Sequence, residues 1–298
     1  MNIKNLHIVG SGLMGGGIAQ VGITHGFEVT LIDISEAALN KAKAVMEKSF
    51  KKEISRGKMT EEAAEEAFRH LTLTTDMNAA KDADLAIESV SEKMELKKKI
   101  FSQLSEICRE DIILATNTSA ISITALASVV KNPSRVCGMH FVSPVPKMDL
   151  MEIVRCIATS AETIALAREV GTAMGKRCII SKDSPAFILN RMLDPMANEA
   201  MLLVELGIGS IEDVDAAMRI GLNHPMGPLE IMDAAGLDIF LDAMTAIHQE
   251  TNDPKYKPSL LVRNMVRIGW LGKKAGKGFY VYHADGTKTP NPDINNII

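Results

Sequence analysis

The sequence predicts an α/β protein: a doubly wound, mostly parallel sheet followed by an all-helical C-terminal domain. Three observations support this fold class. A short apolar strand at residues 6–9 leads directly into the glycine-rich segment GSGLMGGG. Further short apolar runs then alternate with helical patterns up to residue 180, which is typical of a parallel sheet with flanking helices. From residue 186 onward the apolar spacing is helical almost throughout, so we expect domains at 1–184 and 185–298.

The composition is that of a globular protein. Hydrophobic residues make up 46% of the 298 residues and charged residues 23%, which suits one large domain or two of ordinary size. The net charge of −4 gives no reason to expect binding to nucleic acid, and no apolar run is long enough to span a membrane. The first strand begins at residue 6, which leaves no room for a signal or transit peptide. We therefore expect a cytoplasmic protein.

The cysteines agree with a reducing compartment. They show no close paired spacing, so we predict neither a disulfide framework nor a metal site. They are better interpreted as small buried apolar residues. The four positions are Cys108, Cys137, Cys156 and Cys178.

The glycine-rich segment has the spacing GxGxxGxG between the first strand and the first predicted helix. Gly10 allows a tight turn, Gly12 lets a pyrophosphate approach the backbone, and Gly15 lets the helix sit close to the sheet. The first turn of that helix, which includes Leu13 and Met14, would direct its N–H groups at the phosphates. Glycine clusters also serve plain turns, but the strand–glycine–helix context favours a Rossmann-like dinucleotide site.

The end of the second predicted strand indicates which dinucleotide binds. Residues 28–32 form an apolar run that ends in Asp33, where an acidic side chain would hold a ribose 2′-hydroxyl. The charge of Asp33 would repel a 2′-phosphate, and Ile34 supplies no compensating base. The cofactor is therefore predicted to be NAD and not NADP.

A long, strongly charged helical pattern covers residues 35–68, with a break near Gly57. Basic residues crowd its middle, namely Lys48, Lys51, Lys52, Arg56 and Lys58. Lysine-rich helices most often present a solvated face. The alternative is a docking surface for a polyphosphate tail on a substrate, and the residues alone leave both interpretations open.

Polar residues follow the next predicted strands, at 71–74, 85–89 and 112–115. Glu88 lies at the end of the strand at 85–89 and Glu92 follows it, while Asn117, Thr118 and Ser119 follow the strand at 112–115. The carboxyl ends of parallel strands are where a doubly wound sheet presents its ligand. These residues are therefore site candidates, although Thr118 and Ser119 could equally cap a helix.

The segment GMHFVSPVPKMDLMEIV contains two apolar runs joined by a proline-rich loop. If the runs pair antiparallel about Pro146, residues equidistant from it face one another. His140 and Glu152 are such a pair, and the Cβ atoms of directly opposed residues lie about 5 Å apart. A carboxylate at that distance favours the protonated imidazole and fixes its orientation, as a general base requires. The alternative is an ordinary histidine at a sheet edge with a chance glutamate.

The remaining elements follow from the apolar spacing. A helix at 160–174 and a strand at 177–180 complete the first domain. The predicted C-terminal helices cover 186–205, which carries Asn190, then 211–220, 228–244 and 259–267.

Several motifs in the same order resemble the L-3-hydroxyacyl-CoA dehydrogenases, and most of all their short single-function bacterial members. The matching segments are GSGLMGGGIAQ, LAIESVSEKMELKK, ATNTSAISI, the HF-x-x-PVP-x-M-x-L-x-E stretch, DSPAFILNRML, HPMGPLEIMDAAGLD and KKAGKGFYVY. The likeness covers essentially the full length. A series of such motifs is far more specific than any one of them.

The resemblance implies a role for individual residues. His140 would be the catalytic base and Glu152 its charge partner, while Ser119 and Asn190 would hold the reacting oxygen and the histidine in place. The NAD-binding residues would be Gly10, Gly12, Leu13, Met14, Gly15, Asp33, Glu92, Lys97, Ser119, Ser143 and Lys274. The coenzyme A tail would meet Ser49, Lys52, Arg56 and Ser119.

Three positions depart from the family pattern. Ser143 replaces the usual asparagine, which puts an amide contact to the nicotinamide region in doubt. Ala186 stands where the family has glycine, a change that we expect to cost little. Arg56 replaces the commoner lysine and keeps the charge.

The reaction that the resemblance implies is the reversible oxidation of an L-3-hydroxyacyl-CoA, such as 3-hydroxybutyryl-CoA, to the 3-ketoacyl-CoA, with hydride passing to NAD. Imidazole, with an unperturbed pKa near 6.5, suits the accompanying proton transfer. A dehydrogenase of a free hydroxy acid or sugar acid remains an alternative, as does a non-catalytic nucleotide-binding or structural protein. The resemblance also implies a homodimer.

Overall fold

The computed structural model describes residues 3–296 and divides the chain into two compact units, Met1–Phe187 and Ile188–Ile298. The sequence prediction placed the domain boundary between residues 184 and 185. Within the described residues, no helix combines the length and apolarity needed to cross a bilayer. The same residues contain no group of three or more His, Cys, Asp or Glu side chains placed to hold a metal ion.

The first unit is built on an eight-stranded sheet with the strand order β3-β2-β1-β4-β5-β6-β7-β8. Strands β6 and β7 pair antiparallel, and the remaining neighbours pair in parallel. The order reverses between β1 and β4, which opens a crevice at their carboxyl ends. The strands are β1 Asn5–Val9, β2 Glu28–Ile32, β3 Leu71–Thr74, β4 Leu85–Glu88, β5 Ile113–Thr116, β6 Val136–Phe141, β7 Leu150–Arg155 and β8 Arg177–Lys182. The predicted doubly wound, mostly parallel sheet is confirmed.

Helices cover both faces of this sheet and bury two aliphatic cores. They are α1 Leu13–Thr24, α2 Glu36–Ser55, α3 Glu61–Arg69, α4 Met94–Ile107, α5 Ile123–Ala127 and α6 Ala161–Ala173. Ile18 of α1, Leu39 of α2 and Ala167 of α6 pack on one face. Phe101 of α4 and Leu126 of α5 pack on the other. The predicted break in the charged helical stretch separates α2 from α3, where Gly57 has a φ of +69°.

The second unit is helical with one addition. Its helices are α7 Leu189–Glu205, α8 Ile211–Gly221, α9 Pro228–Ala235, α10 Leu237–Thr251 and α11 Leu260–Arg267. The prediction of helices alone needs a correction, because β9 Tyr280–Tyr282 and β10 Lys288–Pro290 form a two-stranded antiparallel sheet. The Asp285-Gly286 turn that joins them is a hairpin signal, with Gly286 at a φ of +86°.

Two of the predicted helices are longer than the helices in the structure. The segment at 228–244 is broken between α9 and α10 by Gly236, whose φ of +108° no helix accommodates. The helix predicted from residue 186 begins at Leu189, because Ala186 and Phe187 have left-handed φ values of +62° and +53°. These two residues instead end the first unit.

Candidate active site

His140 and Glu152 are direct partners in the antiparallel pair of β6 and β7, as the position of Pro146 predicts. The Nδ1 atom of His140 lies 2.7 Å from Oε2 of Glu152. His140 is 7% exposed and Glu152 is fully buried. Because a carboxylate can only accept, Nδ1 carries the proton in this bond, and Nε2 is left to accept another. An imidazole held in this way could act as an oriented general base.

The surroundings of the imidazole are apolar and tightly packed. Side chains alternate along β6, so His140 shares a face with Gly138, opposite that of Met139. A Cβ at Gly138 would lie 2.8 Å from Cβ of Val154, so glycine allows β7 to pack close. The ring of Phe187 lies 5.7 Å from the imidazole, centroid to centroid. Water is thus largely excluded from the pair.

A buried lysine holds the loop between β6 and β7. The Nζ atom of Lys176 donates to the carbonyl oxygens of Val145 (2.7 Å) and Met148 (2.8 Å). Burial lowers the pKa of Lys176, and the carboxylate of Asp149 opposes that shift. Ser143 lies in this loop and is exposed.

The glycine-rich segment forms an open cradle at the start of α1. Gly10 has a φ of +102°, and a Cβ there would lie 2.5 Å from the carbonyl oxygen of Ser89. A Cβ at Gly15 would lie 1.8 Å from the carbonyl oxygen of Gly10. Gly12 begins α1 without a side-chain cap, and a Cβ there would meet nothing within 4 Å. The first N–H groups of α1 thus face open space beside Leu13, which fits a pyrophosphate.

Asp33 is fixed at the end of β2 by three hydrogen bonds. Its Oδ2 accepts from N and Oγ of Ser11, both at 2.8 Å, and its Oδ1 accepts from N of Ser35 at 3.0 Å. The carboxylate therefore lies beside the glycine loop, where it could also receive a ribose hydroxyl. Ser11 was not singled out from the sequence, although its place inside the glycine motif could have suggested it. Together, the cradle and Asp33 fit NAD.

Lys97 and Glu92 differ in their surroundings. Lys97 is 1% exposed, and its Nζ lies 2.7 Å from Oε1 of Glu88 and 3.2 Å from Oε2 of Glu92. The same atom donates to the carbonyl oxygen of Val90. Its ammonium is thus enclosed by protein acceptors, while the side chain of Glu92 is 41% exposed. The partnership of Lys97 with Glu88 was not predicted from the sequence.

Ser119 lies in the turn that follows β5. Residues of this turn contact Glu92 on one side and strand β6 on the other. Glu92 accepts from the hydroxyl of Thr118 and from the backbone N of Ser119 at 3.2 Å. Asn117 accepts from the backbone N of Phe141 at 2.9 Å and so ties this turn to the strand of His140. The cradle, Asp33, Ser119 and His140 all lie at the carboxyl-end edge of the sheet.

The basic residues of α2 are exposed along one side. Lys48 and Lys52 of α2 and Arg56 at its C-cap are spaced by four residues and lie on one side of the helix. Arg56 lies 3.7 Å from Glu53, so it makes only a weak ion pair. Ser49 is half-buried and accepts from Nε2 of Gln20 at 2.9 Å.

Two predicted site residues belong to the second unit. Asn190 is the second residue of α7 and is half-buried. Lys274 lies 2.6 Å from Oδ2 of Asp238, within the same unit.

Two models of one known protein family match almost the whole chain. Residues 5–184 match the model for the 3-hydroxyacyl-CoA dehydrogenase NAD binding domain, and residues 187–282 match that for the 3-hydroxyacyl-CoA dehydrogenase C-terminal domain. The chain belongs to the 3-hydroxyacyl-CoA dehydrogenase family. Its resemblance to that family, its class as an NAD-dependent oxidoreductase and its cofactor are confirmed.

Individual members of the 3-hydroxyacyl-CoA dehydrogenase family are similar over nearly the whole chain. A 3-hydroxybutyryl-CoA dehydrogenase of Bradyrhizobium diazoefficiens is 42% identical over 94% of this chain and 96% of its own length. A probable 3-hydroxybutyryl-CoA dehydrogenase of Deinococcus radiodurans is 44% identical over 92% and 99%. The crystal structure of (S)-3-hydroxybutyryl-CoA dehydrogenase from Ralstonia eutropha superposes with a TM-score of 0.92 at 42% identity, covering 95% of this chain and all of that one.

Proposed function

We propose that this enzyme interconverts 3-hydroxybutyryl-CoA and acetoacetyl-CoA with NAD as the cofactor. The observation that carries the proposal is the buried His140–Glu152 pair, with 2.7 Å between Nδ1 and Oε2, at the carboxyl-end edge of an NAD-binding sheet. The named activities of the similar proteins support the choice of a four-carbon acyl group.

In the oxidative direction, Nε2 of His140 accepts the proton of the substrate hydroxyl. Glu152 holds the Nδ1–H bond and stabilises the imidazolium that results, without itself taking the proton. In the reductive direction the same imidazolium returns the proton to the carbonyl oxygen. Burial of the pair strengthens this electrostatic effect, because little water competes for the charges.

The glycine cradle and the first turn of α1 would hold the pyrophosphate of NAD, and Asp33 would accept from the adenosine ribose. NAD, when bound, supplies the acceptor for the hydride that leaves the substrate carbon. Glu92, Lys97, Ser143 and Lys274 remain proposed contacts of the nicotinamide half, Lys97 through the carboxylate of Glu92.

Ser119 and Asn190 are proposed to orient the reacting oxygen, because each carries a hydrogen-bond donor and neither has an ionisable group. Ser49, Lys52 and Arg56 are proposed to meet the coenzyme A tail. The exposure of the Lys48–Lys52–Arg56 face supports this role, since phosphates favour accessible cations. We also propose a homodimer, on the family resemblance, and a cytoplasmic location, for which the four unpaired cysteines are suited.

The direct test is NADH consumption with acetoacetyl-CoA, followed by absorbance, beside matched assays with free acetoacetate. Activity with the thioester alone is the expected result. Equal or greater efficiency with acetoacetate would assign the enzyme to free hydroxy acids instead. Absence of NADH consumption with both substrates would leave a nucleotide-binding protein without this activity.

A further inference from the structure

The carboxylate of Glu88 is fully buried at the end of β4 and has a partner at each oxygen. Oε1 accepts from Nζ of Lys97 at 2.7 Å and from the backbone N of Val90 at 2.6 Å. Oε2 accepts from Oγ1 of Thr116 at 2.8 Å. Neither the proposed chemistry nor the proposed binding of NAD uses Glu88. Its role must therefore be sought in what these partners hold.

Two hydrogen-bonded paths lead from Glu88 to the turn that carries Ser119. In the first, Lys97 bridges to Oε2 of Glu92 at 3.2 Å, and Oε1 of Glu92 accepts from the backbone N of Ser119 at 3.2 Å. In the second, Oγ1 of Thr116 accepts from the backbone N of Thr118 at 3.1 Å. Both ends of the turn are thus tied to one buried carboxylate.

The contacts of Glu92 extend over the whole turn. Its Oε1 also accepts from the hydroxyl of Thr118 and from the backbone N of Ala120. One oxygen therefore gathers three donors from three successive residues. The other oxygen is held by Lys97, so the position of Glu92 depends on where the Glu88–Lys97 pair sets the ammonium.

We infer that Glu88 is a positioning residue that sets the place of the Ser119 hydroxyl through Lys97, Glu92 and Thr116; this inference rests on the role of Ser119 under the proposed function. The carboxylates of Glu88 and Glu92 share the ammonium of Lys97 in this network. Removing the charge of Glu88 would therefore change where Lys97 and Glu92 lie. A buried ion pair contributes little net stability relative to an apolar packing of the same volume. What the network does provide is a fixed geometry for the turn at the carboxyl-end edge of the sheet.

The test combines Glu88→Gln with Ser119→Ala in a double-mutant cycle on kcat/KM for acetoacetyl-CoA. Each single variant is expected to lower kcat/KM about 10-fold or more, and the double variant to lie within about threefold of Ser119→Ala alone. The loss in Glu88→Gln should be in kcat more than in KM for NADH. If Glu88 supported only the general fold, the factors by which the two single variants lower kcat/KM would instead multiply in the double variant.

A matched control is Asp84→Asn, which changes a carboxylate to an amide at the opposite end of the same strand. Asp84 accepts from the backbone N of Lys4 and Asn5 and has no contact with the turn. Its effect on kcat/KM should be within about twofold and should multiply with that of Ser119→Ala. If Glu88→Gln behaves like this control, or if Ser119→Ala alone keeps wild-type kcat/KM, the inference is wrong.

Hydrogen exchange of the backbone amides gives a readout that does not need activity. Glu88→Gln should speed exchange at Ser119 and Ala120 by about tenfold or more, whereas Asp84→Asn should not. Unchanged exchange there would overturn the inference, whether or not the enzyme acts on acetoacetyl-CoA. If Glu88→Gln does not fold, the near-isosteric Thr116→Val removes one path alone and should speed exchange at Thr118. Unchanged exchange in that variant would have the same meaning.

Discussion

The imidazole of His140 and the carboxylate of Glu152 face each other across β6 and β7, with 2.7 Å between Nδ1 and Oε2. The pair is set by backbone register, since the two residues are direct partners in the ladder. No flexible linker is needed to bring them together. The geometry that orients the imidazole is therefore part of the sheet itself.

Replacing His140 by glutamine should lower kcat at least about a hundredfold, because removal of a general base typically costs 10²–10⁴-fold. Glutamine keeps a polar side chain of similar reach but accepts no proton. The Kd for NADH, measured by fluorescence titration, should change little. A variant that keeps more than about a tenth of the wild-type kcat would contradict this role.

The control for that experiment is His70→Gln. His70 also pairs with a glutamate, at 2.7 Å from Oε1 of Glu28, but it precedes β3 at the opposite edge of the sheet. The control should keep wild-type kcat. A comparable loss in both variants would indicate a general effect of removing a His–Glu pair.

The register of this pair could be predicted from the sequence because a proline-rich loop fixes its centre and apolar runs mark both strands. Short apolar runs that alternate with helical patterns likewise predicted the sheet, and the glycine spacing and the acidic residue after the second run predicted the cradle and Asp33. Each of these features depends on residues close together in the chain. Local patterns of this kind carry most of the fold.

Contacts between distant residues could not be predicted in the same way. Glu88 and Lys97 carry opposite charges near one another in sequence, yet many such pairs lie on the surface. Only the packed sheet shows that both are buried and that Thr116 shares their network. The hairpin at β9 and β10 had a local signal in its Asp-Gly turn, but short strands outside a sheet give weak apolar patterns.

Replacing Asp33 by alanine should narrow the preference for NADH over NADPH by about tenfold or more, because the carboxylate repels a 2′-phosphate. The ratio of kcat/KM for the two cofactors measures this. Asp33 also holds Ser11, so the control is Ser11→Ala, which removes one hydrogen bond and keeps the carboxylate. The control should keep the NADH preference. Equal kcat/KM with NADH and NADPH in the wild type would show that Asp33 does not face the 2′-hydroxyl of the adenosine ribose.

The sequence predicts that alanine in place of glycine at position 186 costs little stability, and the structure shows which opposing effects are involved. Its φ of +62° costs an L-residue about 1–2 kcal/mol, but its buried methyl group and its lower unfolded-state entropy regain a similar amount. Ala186→Gly should therefore change the free energy of unfolding by less than about 0.5 kcal/mol. The buried helical control Ala167→Gly should lose about 1.5–2 kcal/mol. If urea titrations showed the same loss in free energy of unfolding for Ala186→Gly and Ala167→Gly, the strain at Ala186 would be contradicted.

Reversing two charges on α2 separates a coenzyme A dock from a solvated face. Lys52→Glu with Arg56→Glu should raise KM for acetoacetyl-CoA about 5- to 150-fold, an effect that weakens with added salt. KM for an acetoacetyl-pantetheine ester should hardly change, because that substrate lacks the charged nucleotide. Lys41→Glu with Lys43→Glu makes the same charge change nearer the start of α2 and serves as control. Equal losses with both substrates would indicate a disturbed helix, and no loss would leave α2 as solvated surface.

The stability of the chain should respond to pH through Asp194 of α7. This residue is 6% exposed, its Oδ2 has no hydrogen-bond partner among the described residues, and burial raises its pKa to about 7. Between its unfolded pKa near 4 and this value, the folded chain keeps a proton that the unfolded chain has released. The stability that the protonated carboxyl contributes is therefore complete below about pH 4 and lost as the pH rises through 7.

Asp194→Asn removes that titration while keeping the size of the side chain. The variant should be more stable than the wild type at pH 8 by about 1–3 kcal/mol, and by much less at pH 5, in urea unfolding curves. Asp233 is the control: burial raises its pKa to about 6, but both oxygens accept from backbone N–H groups, of Phe279 and Tyr280. Asp233→Asn loses one of these acceptors and should destabilise the chain at both pH values. A gain at Asp194 that is the same at pH 5 and pH 8 would show that ionisation of a buried carboxyl is not its cause.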